Sequence, residues 1–152
     1  MYIDNIFYQE IDFIPTVPAE LIMPLDKVEQ AENLNFRKDP DIGSYFLNDS
    51  LRDWIEPFFD FAVQSRYQIL KKVLPIHADG FNTLTWKYIY VYETGGENVK
   101  TIWYNSVMDN RTIKSVVLKK NTWYKINIKI PHTISSVSSP RCSITLWKSD
   151  EN

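Results

Sequence analysis

The stretch TWYKINIKIPH, residues 122–132, decides the fold. Successive side chains of a β-strand point to opposite faces, and here apolar and polar residues alternate with that period. We expect the isoleucine face to be the inner one. Pro131 has no N–H to give to a sheet, so it is expected at a strand margin, and His132 then keeps the parity of the isoleucines and points inward. The two faces are Tyr124, Ile126, Ile128 and Ile130 on one side and Trp123, Lys125, Asn127 and Lys129 on the other.

The same alternation recurs through the second half of the chain, in segments rich in β-branched and aromatic residues. Together with residues 122–130 and the segment around His77, they make about eight short strands, which is typical of a compact barrel or jelly roll. Gly95-Gly96 is the strongest hairpin signal between them. The other predicted strands are Tyr67–Val73, Thr83–Tyr92, Asn98–Tyr104, Thr112–Leu118, Thr133–Val137 and Cys142–Trp147, and the other turn signals are Asp79-Gly80, Asp109-Asn110, Lys120-Asn121 and Ser138-Ser139-Pro140.

The strand over residues 83–92 places four aromatic side chains on one face. This stripe either packs under a helix or lines a cleft, and packing is favoured because aromatic residues dominate cores. The stripe consists of Trp86, Tyr88, Tyr90 and Tyr92.

The N-terminal part of the chain predicts an arm with one clear helix. Prolines at four positions before residue 41 indicate an irregular segment up to about residue 46. Ser50 is expected to cap the helix, and Pro57 is expected to kink or end it. Its apolar stripe is predicted to pack on the sheet. We expect one domain over residues 1–152, with the arm and helix in 1–61 and the β core in 66–147. The stripe consists of Leu51, Trp54, Ile55, Phe58 and Phe59.

Composition narrows the possible function classes. The 152 residues are 44% hydrophobic and 24% charged, with a net charge of −2, which indicates a globular protein without the basic field of an extensive nucleic-acid binder. The lone Cys142 excludes an internal disulfide. We find no signal peptide and no stretch of ~20 apolar residues, so a cytoplasmic protein without a membrane span is expected. The sequence does not indicate an oligomeric state.

Both histidines lie beside prolines at predicted strand margins. His77 and Asp79 are two residues apart, so in an extended strand they point the same way and can bind one metal ion. His132 supplies a third ligand. Arg141 follows the Ser138–Pro140 turn, which places it on a strand expected to pair with the His132 strand. Two histidines and a carboxylate on a β scaffold are the ligand set of non-haem Fe(II) oxygenases.

These residues, in this order, resemble the iron(II)- and 2-oxoglutarate-dependent oxygenases of the double-stranded β-helix fold. The surrounding words LPIH (74–77), GGENVKTIWY (95–104) and IPHT (130–133) are similar to short members found in bacteriophages and marine microbes. The resemblance covers about residues 67–147. It implies a mainly β, cupin-like jelly roll with an N-terminal helical arm packed on one sheet, and Fe(II) bound by His77, Asp79 and His132.

The resemblance also implies a co-substrate. 2-Oxoglutarate would chelate the metal, and Arg141 would pair with its distal carboxylate through two parallel hydrogen bonds. O2 and a small-molecule or peptide substrate would complete the reaction, which usually gives a hydroxylated product. The hydroxyls that could assist the arginine are those of Thr101, Tyr90 and Thr145.

Three other interpretations remain open. The histidines can be satisfied structural residues, with His77-x-Asp79 forming a capped turn. The chain can be a non-catalytic β-barrel binding or structural module with a vestigial metal site, because a fold does not establish a chemistry. A zinc hydrolase with the same three ligands is also possible, although it leaves Arg141 without a role.

Overall fold

Two antiparallel sheets enclose the interior of the protein. The computed structural model describes residues 6–35, 39–78 and 84–149. The larger sheet has the strand order β1-β7-β4-β9-β3-β2, and the smaller one the order β6-β5-β8. The strands are β1 (Tyr8–Glu10), β2 (Ile42–Tyr45), β3 (Val63–Leu70), β4 (Trp86–Glu93), β5 (Thr101–Ser106), β6 (Asp109–Val116), β7 (Trp123–Asn127), β8 (His132–Ile134) and β9 (Arg141–Lys148).

From β3 onward the chain passes back and forth between the sheets. The segment at His77 pairs with His132 of the small sheet, and the chain then enters the large sheet at β4, the small sheet at β5 and β6, and continues by the same alternation to β9. This winding is a jelly roll, or double-stranded β-helix. The predicted fold class is therefore confirmed.

The two faces of the large sheet pack against different parts of the protein. Its inner face packs against the small sheet, and the isoleucine face of residues 122–130 belongs to it, as predicted. Its outer face packs under the N-terminal segment. The buried apolar residues between the sheets are Phe7, Ile89, Val91, Trp103, Leu118, Tyr124, Ile126 and Ile128.

The N-terminal segment packs on the outer face. It contains α1 (Leu25–Val28), α2 (Asp49–Ile55) and 3-10 helices at Ala19–Leu21 and Glu56–Phe58. Within the described residues, no helix is long and apolar enough to cross a bilayer.

The predicted stripe of α2 does pack on the sheet. Leu51 and Ile55 are fully buried and belong to the same apolar cluster as Ile144 of β9. Three side chains of the β4 aromatic stripe pack in this layer too, namely Tyr88, Tyr90 and Tyr92. Tyr90 and Tyr92 also line a cavity there, so the packing and cleft interpretations each hold for part of the stripe.

The predicted start of α2 was wrong. The N-cap position is occupied by Asn48, two positions before Ser50, and its side chain makes no capping hydrogen bond. Its amide donates to the Leu21 carbonyl (3.0 Å), and its carbonyl accepts from the Tyr67 hydroxyl (2.5 Å). Asn48 is thus engaged in tertiary contacts that its own neighbourhood in the sequence does not reveal. The irregular arm also contains two short edge strands, β1 and β2, that were not predicted.

The Gly95-Gly96 hairpin was also predicted wrongly. β4 and β5 lie in different sheets, and the glycines carry the chain between them with φ of +83° and +136°. The Gly95 carbonyl accepts the N–H of Ser138 at 2.7 Å. A Cβ at Gly95 would lie 2.9 Å from the Cβ of Arg141, so the position requires glycine for both its φ and its space.

Two further turn predictions differ from the structure. The strands β8 and β9 do not pair with each other: β8 pairs with β5, whereas β9 pairs with β3 and β4. The Ser138–Pro140 turn therefore crosses between sheets.

The β5–β6 hairpin turns at residues 107–108, because Ser106 pairs with Asp109, so Asp109-Asn110 already belongs to a strand. The Asp79-Gly80 turn lies outside the described residues.

Candidate functional site

A cavity of about 680 Å³ opens between the two sheets. Both sheets contribute to its wall, which is apolar along β7 and polar along β9. It contains both histidines of the chain. Its polar lining residues are Asn35, Gln68, His77, Lys87, Thr101, His132, Arg141, Ser143 and Thr145.

The two histidines are held side by side by their backbones. The N–H of His77 donates to the carbonyl of His132 at 3.0 Å, and the reverse bond is 2.8 Å long. The ring centroids are 4.5 Å apart. The Thr133 hydroxyl donates to the Leu74 carbonyl and fastens the same segment to β8. A β-bridge between the two segments therefore holds the two imidazoles close together.

Each imidazole is oriented by a backbone carbonyl two residues before it. The Nδ1 of His77 lies 2.8 Å from the Pro75 carbonyl, and the Nδ1 of His132 lies 2.8 Å from the Ile130 carbonyl. A carbonyl oxygen only accepts, so Nδ1 carries the proton in each ring and the lone pair of the neutral imidazole is on Nε2. This is the orientation in which metal-binding histidines are commonly held.

The third predicted ligand, Asp79, lies outside the described residues, so its role stays a prediction. Within residues 6–35, 39–78 and 84–149 no group of three or more His, Cys, Asp or Glu side chains forms a metal site. Ala78, which precedes Asp79, lines the cavity next to His77.

A buried cation lies in the same cavity. Arg141 is 4% exposed, and its Nη1 donates to the Thr94 carbonyl at 3.0 Å. Its Nη2 is buried and has no hydrogen-bond partner, and among the described residues no carboxylate forms an ion pair with it. Burial lowers the pKa of Arg141 to about 10, so the guanidinium is still charged at neutral pH. Such a group is costly unless a ligand completes its hydrogen bonds.

Two threonine hydroxyls in the cavity are also buried without a hydrogen-bond partner among the described residues. No described residue hydrogen-bonds the buried Oγ1 atoms of Thr101 and Thr145, and both residues line the cavity together with Arg141. Buried polar atoms in native proteins are normally hydrogen-bonded, so several such atoms in one cavity are suited to bind a polar ligand. One cation and two hydroxyl donors fit a carboxylate.

The strand register places the histidines and the arginine toward opposite ends of the cavity. Across β5 and β8, Thr101 pairs with Ile134 and Trp103 with His132. Residues 135–140 link Ile134 to Arg141, and the Gly95 backbone, six residues before Thr101, lies against the Arg141 side chain, so Thr101 and Arg141 lie toward one end. His132 lies toward the other end, about two strand residues or ~7 Å along. A ligand could therefore contact both groups.

Tyr90 is the one predicted co-substrate residue that the structure does not bring to this cavity. It points to the outer face of β4, where its ring packs on Trp123 at 5.0 Å, because residues at even positions of β4 face the N-terminal layer. Sequence reasoning also missed Gln68 and Lys87 as lining residues. Gln68 pairs with Ser143 in the register of β3 and β9, so knowledge of the strand pairing would have revealed it.

Comparisons with known proteins give a likeness of fold. No protein-family model matches the chain, and no curated protein does. Similar solved structures include Bacillus subtilis oxalate decarboxylase, described for its Mn(II) centres, at 9% identity and a TM-score of 0.48, covering 82% of this chain and 29% of that one. An HTH_3 family transcriptional regulator from Vibrio cholerae has 13% identity, a TM-score of 0.46 and coverage of 83% and 60%. Fe(II) HppE has 13% identity, a TM-score of 0.44 and coverage of 93% and 64%. The chain thus spans less than two thirds of each.

Proposed function

We propose that this protein is a metal-dependent oxygenase of the iron(II)/2-oxoglutarate type. The observation that supports it is the meeting, in one cavity, of two imidazoles oriented through Nδ1 and a buried guanidinium with an orphaned Nη2. The sequence resemblance, which implies the same histidines and arginine, also supports the proposal. A zinc hydrolase would not account for the buried cation.

His77 and His132 would bind the iron through Nε2, and Asp79 is proposed as the carboxylate ligand. Iron(II) with 2-oxoglutarate supplies the activation of O2 that oxidises a substrate C–H bond. Arg141 would bind the distal carboxylate of 2-oxoglutarate, because a guanidinium matches a carboxylate with two parallel hydrogen bonds. The hydroxyls of Thr101 and Thr145 would donate to the same anion. The apolar wall along β7 would exclude water from the reacting atoms.

The test is carried out without O2, so that turnover is not required. We expect Fe(II) and 2-oxoglutarate to produce a weak visible charge-transfer band, and Fe(II) or Mn(II) to raise the melting temperature, because a ligand bound only by the native state stabilises it. His77→Ala should abolish the band and the metal-dependent rise.

Two controls separate the alternatives. Arg141→Met should keep the rise with metal alone and lose the additional rise with 2-oxoglutarate. A non-catalytic module with a vestigial site would show the metal-dependent rise without succinate formation when O2 is admitted. A folded protein whose melting temperature does not respond to Fe(II), Mn(II) or 2-oxoglutarate would contradict the proposed function.

A further inference from the structure

A row of cations and aromatic rings continues the inner wall of the large sheet past the cavity. Trp147 lies two residues beyond Thr145 on β9, and so on the same face. Arg66 pairs with Thr145 across β3 and β9, and Lys87 of β4 lines the cavity itself. Phe46, just after β2, completes the row, which we call the rim row.

The side chains of the rim row contact one another. The guanidinium carbon of Arg66 lies 4.5 Å from the ring centre of Phe46 and 5.5 Å from that of Trp147. The Nζ of Lys87 lies 4.9 Å from the ring centre of Trp147. The indole therefore holds two cations beside it by cation–π interactions.

Arg66 is a cation without a counter-charge. Its Nη1 donates to the Ser65 carbonyl at 2.8 Å, and in the part of the chain that the structure describes no carboxylate pairs with it. The side chain is half-buried, and burial lowers its pKa. An anion beside the Arg66 guanidinium would supply the counter-charge that this group lacks among the described residues.

The rim row lies at the histidine end of the cavity. β9 runs from Arg141 toward Trp147, and β4 runs antiparallel to it, so Lys87 and Trp147 lie at the end away from Arg141. His132 is displaced toward that same end by the register of β5 and β8. The positive charge of Arg141 and that of the rim row thus lie on opposite sides of the imidazoles.

We propose that the primary substrate carries an anionic group, a carboxylate or a phosphate, that Arg66 and Lys87 bind at the rim row. This inference rests on the proposed function, in which Arg141 is already occupied by the co-substrate. Trp147 is a positioning residue, because it orients both cations. The planar guanidinium presents its N–H groups in the fork that suits carboxylates and phosphates.

The test uses three probes with a phenyl or benzyl body: benzoate, phenyl phosphate and benzyl alcohol. They are titrated into metal-free Arg141→Met protein, which removes the other anion site, while the indole N–H signal of Trp147 is followed by NMR. That signal is assigned by its loss in Trp147→Phe. We expect both anions to shift it and the alcohol to leave it unchanged. The stronger of the two anions identifies the group as carboxylate or phosphate.

The variants decide the role of the cations. Arg66→Gln should weaken anion binding about tenfold or more, since hydrogen bonds to charged groups are worth ~1.5–3 kcal/mol, and Arg66→Lys should retain part of it. The matched control is Lys125→Gln, because Lys125 lies 4.8 Å from the Trp86 ring on the opposite face of the sheet. It should leave the affinity unchanged.

Two results would overturn the inference. One is that the alcohol binds as tightly as the anions, and the other is that Arg66→Gln weakens binding no more than Lys125→Gln. Neither would affect the proposed function, because the measurement uses no metal and no 2-oxoglutarate. Conversely, if the wild-type protein shows no charge-transfer band, the proposed oxygenase function is contradicted. Anion binding at the rim row would still be decided by the probe titrations.

Discussion

Replacing Arg141 by methionine should stabilise the ligand-free protein. Its pKa of about 10 lies roughly two and a half units below the ordinary arginine value because of burial, and at ~1.4 kcal/mol per unit this corresponds to a cost of roughly 3 kcal/mol. The lost hydrogen bond to Thr94 offsets about 1 kcal/mol of the gain. We therefore expect a net stabilisation of about 2 kcal/mol, or a rise of ~4–8 °C in melting temperature for a chain of this size.

The pH dependence has a definite sign. Between the native pKa of about 10 and the higher unfolded value, the unfolded chain binds more protons, so stability contributed by this group rises with pH there. Below pH 10 the native protein bears the full free-energy cost of burying the charged guanidinium, and Arg141→Met removes that cost.

Urea unfolding at pH 7.5 without metal measures this effect. Arg52→Met is the control, because Arg52 forms an exposed ion pair with Asp49 (2.6 Å) whose loss should change stability by less than ~1 kcal/mol. With Fe(II) already present, adding 2-oxoglutarate should then further stabilise the wild type and hardly affect Arg141→Met. If Arg141→Met instead destabilises the ligand-free protein by 2 kcal/mol or more, Arg141 is a satisfied structural residue and the argument from its orphaned Nη2 fails.

Three other substitutions or reactions test the fold around the cavity. Gly95→Ala should cost ~2 kcal/mol in urea unfolding, because its φ is +83° and a Cβ would lie 2.9 Å from that of Arg141; a change under ~0.5 kcal/mol would contradict the crossing geometry. Leu51→Ala removes a fully buried side chain and should cost ~2–5 kcal/mol, whereas Ile113→Ala, at 41% exposure, should cost much less; equal losses would refute the packing of α2. Burial raises the pKa of the Cys142 thiol to about 11, so the native thiol is protonated and should resist alkylation at pH 8 until the protein is unfolded.

Sequence alone was sufficient for features that depend on side-chain parity. The alternation in residues 122–130 identified the inner face of that strand. The predictions that were wrong concern features that depend on which strands pair. Gly95-Gly96 has the composition of a hairpin turn, and its role as a crossing between sheets follows from the distant carbonyl contact with Ser138.

The same limit applies to the candidate site, where residue types could be chosen from the sequence but their positions depended on strand pairing. His77, His132 and Arg141 were selected from the sequence and meet in one cavity, although the reason given for one of them was wrong. Arg141 was expected beside the histidine strand, whereas it lies on the opposite sheet and faces the same interior. Tyr90 was selected by residue type, and strand parity within β4 turns it away from the cavity.

The charge arrangement of the cavity favours a ligand with two acidic groups. Arg141 lies at one end and the imidazoles at the other, so one carboxylate can contact only one of them, whereas a dicarboxylate can contact the arginine together with the metal proposed at the imidazoles. Metal binding and Arg141 should therefore be coupled through 2-oxoglutarate. Titration calorimetry on His77→Ala, Arg141→Met and the double variant measures this coupling. We expect the double variant to lose less affinity for 2-oxoglutarate than the sum of the single losses, because each single variant already prevents bridging. Additive losses would mean that the two ends act independently, and a bridging dicarboxylate would be excluded.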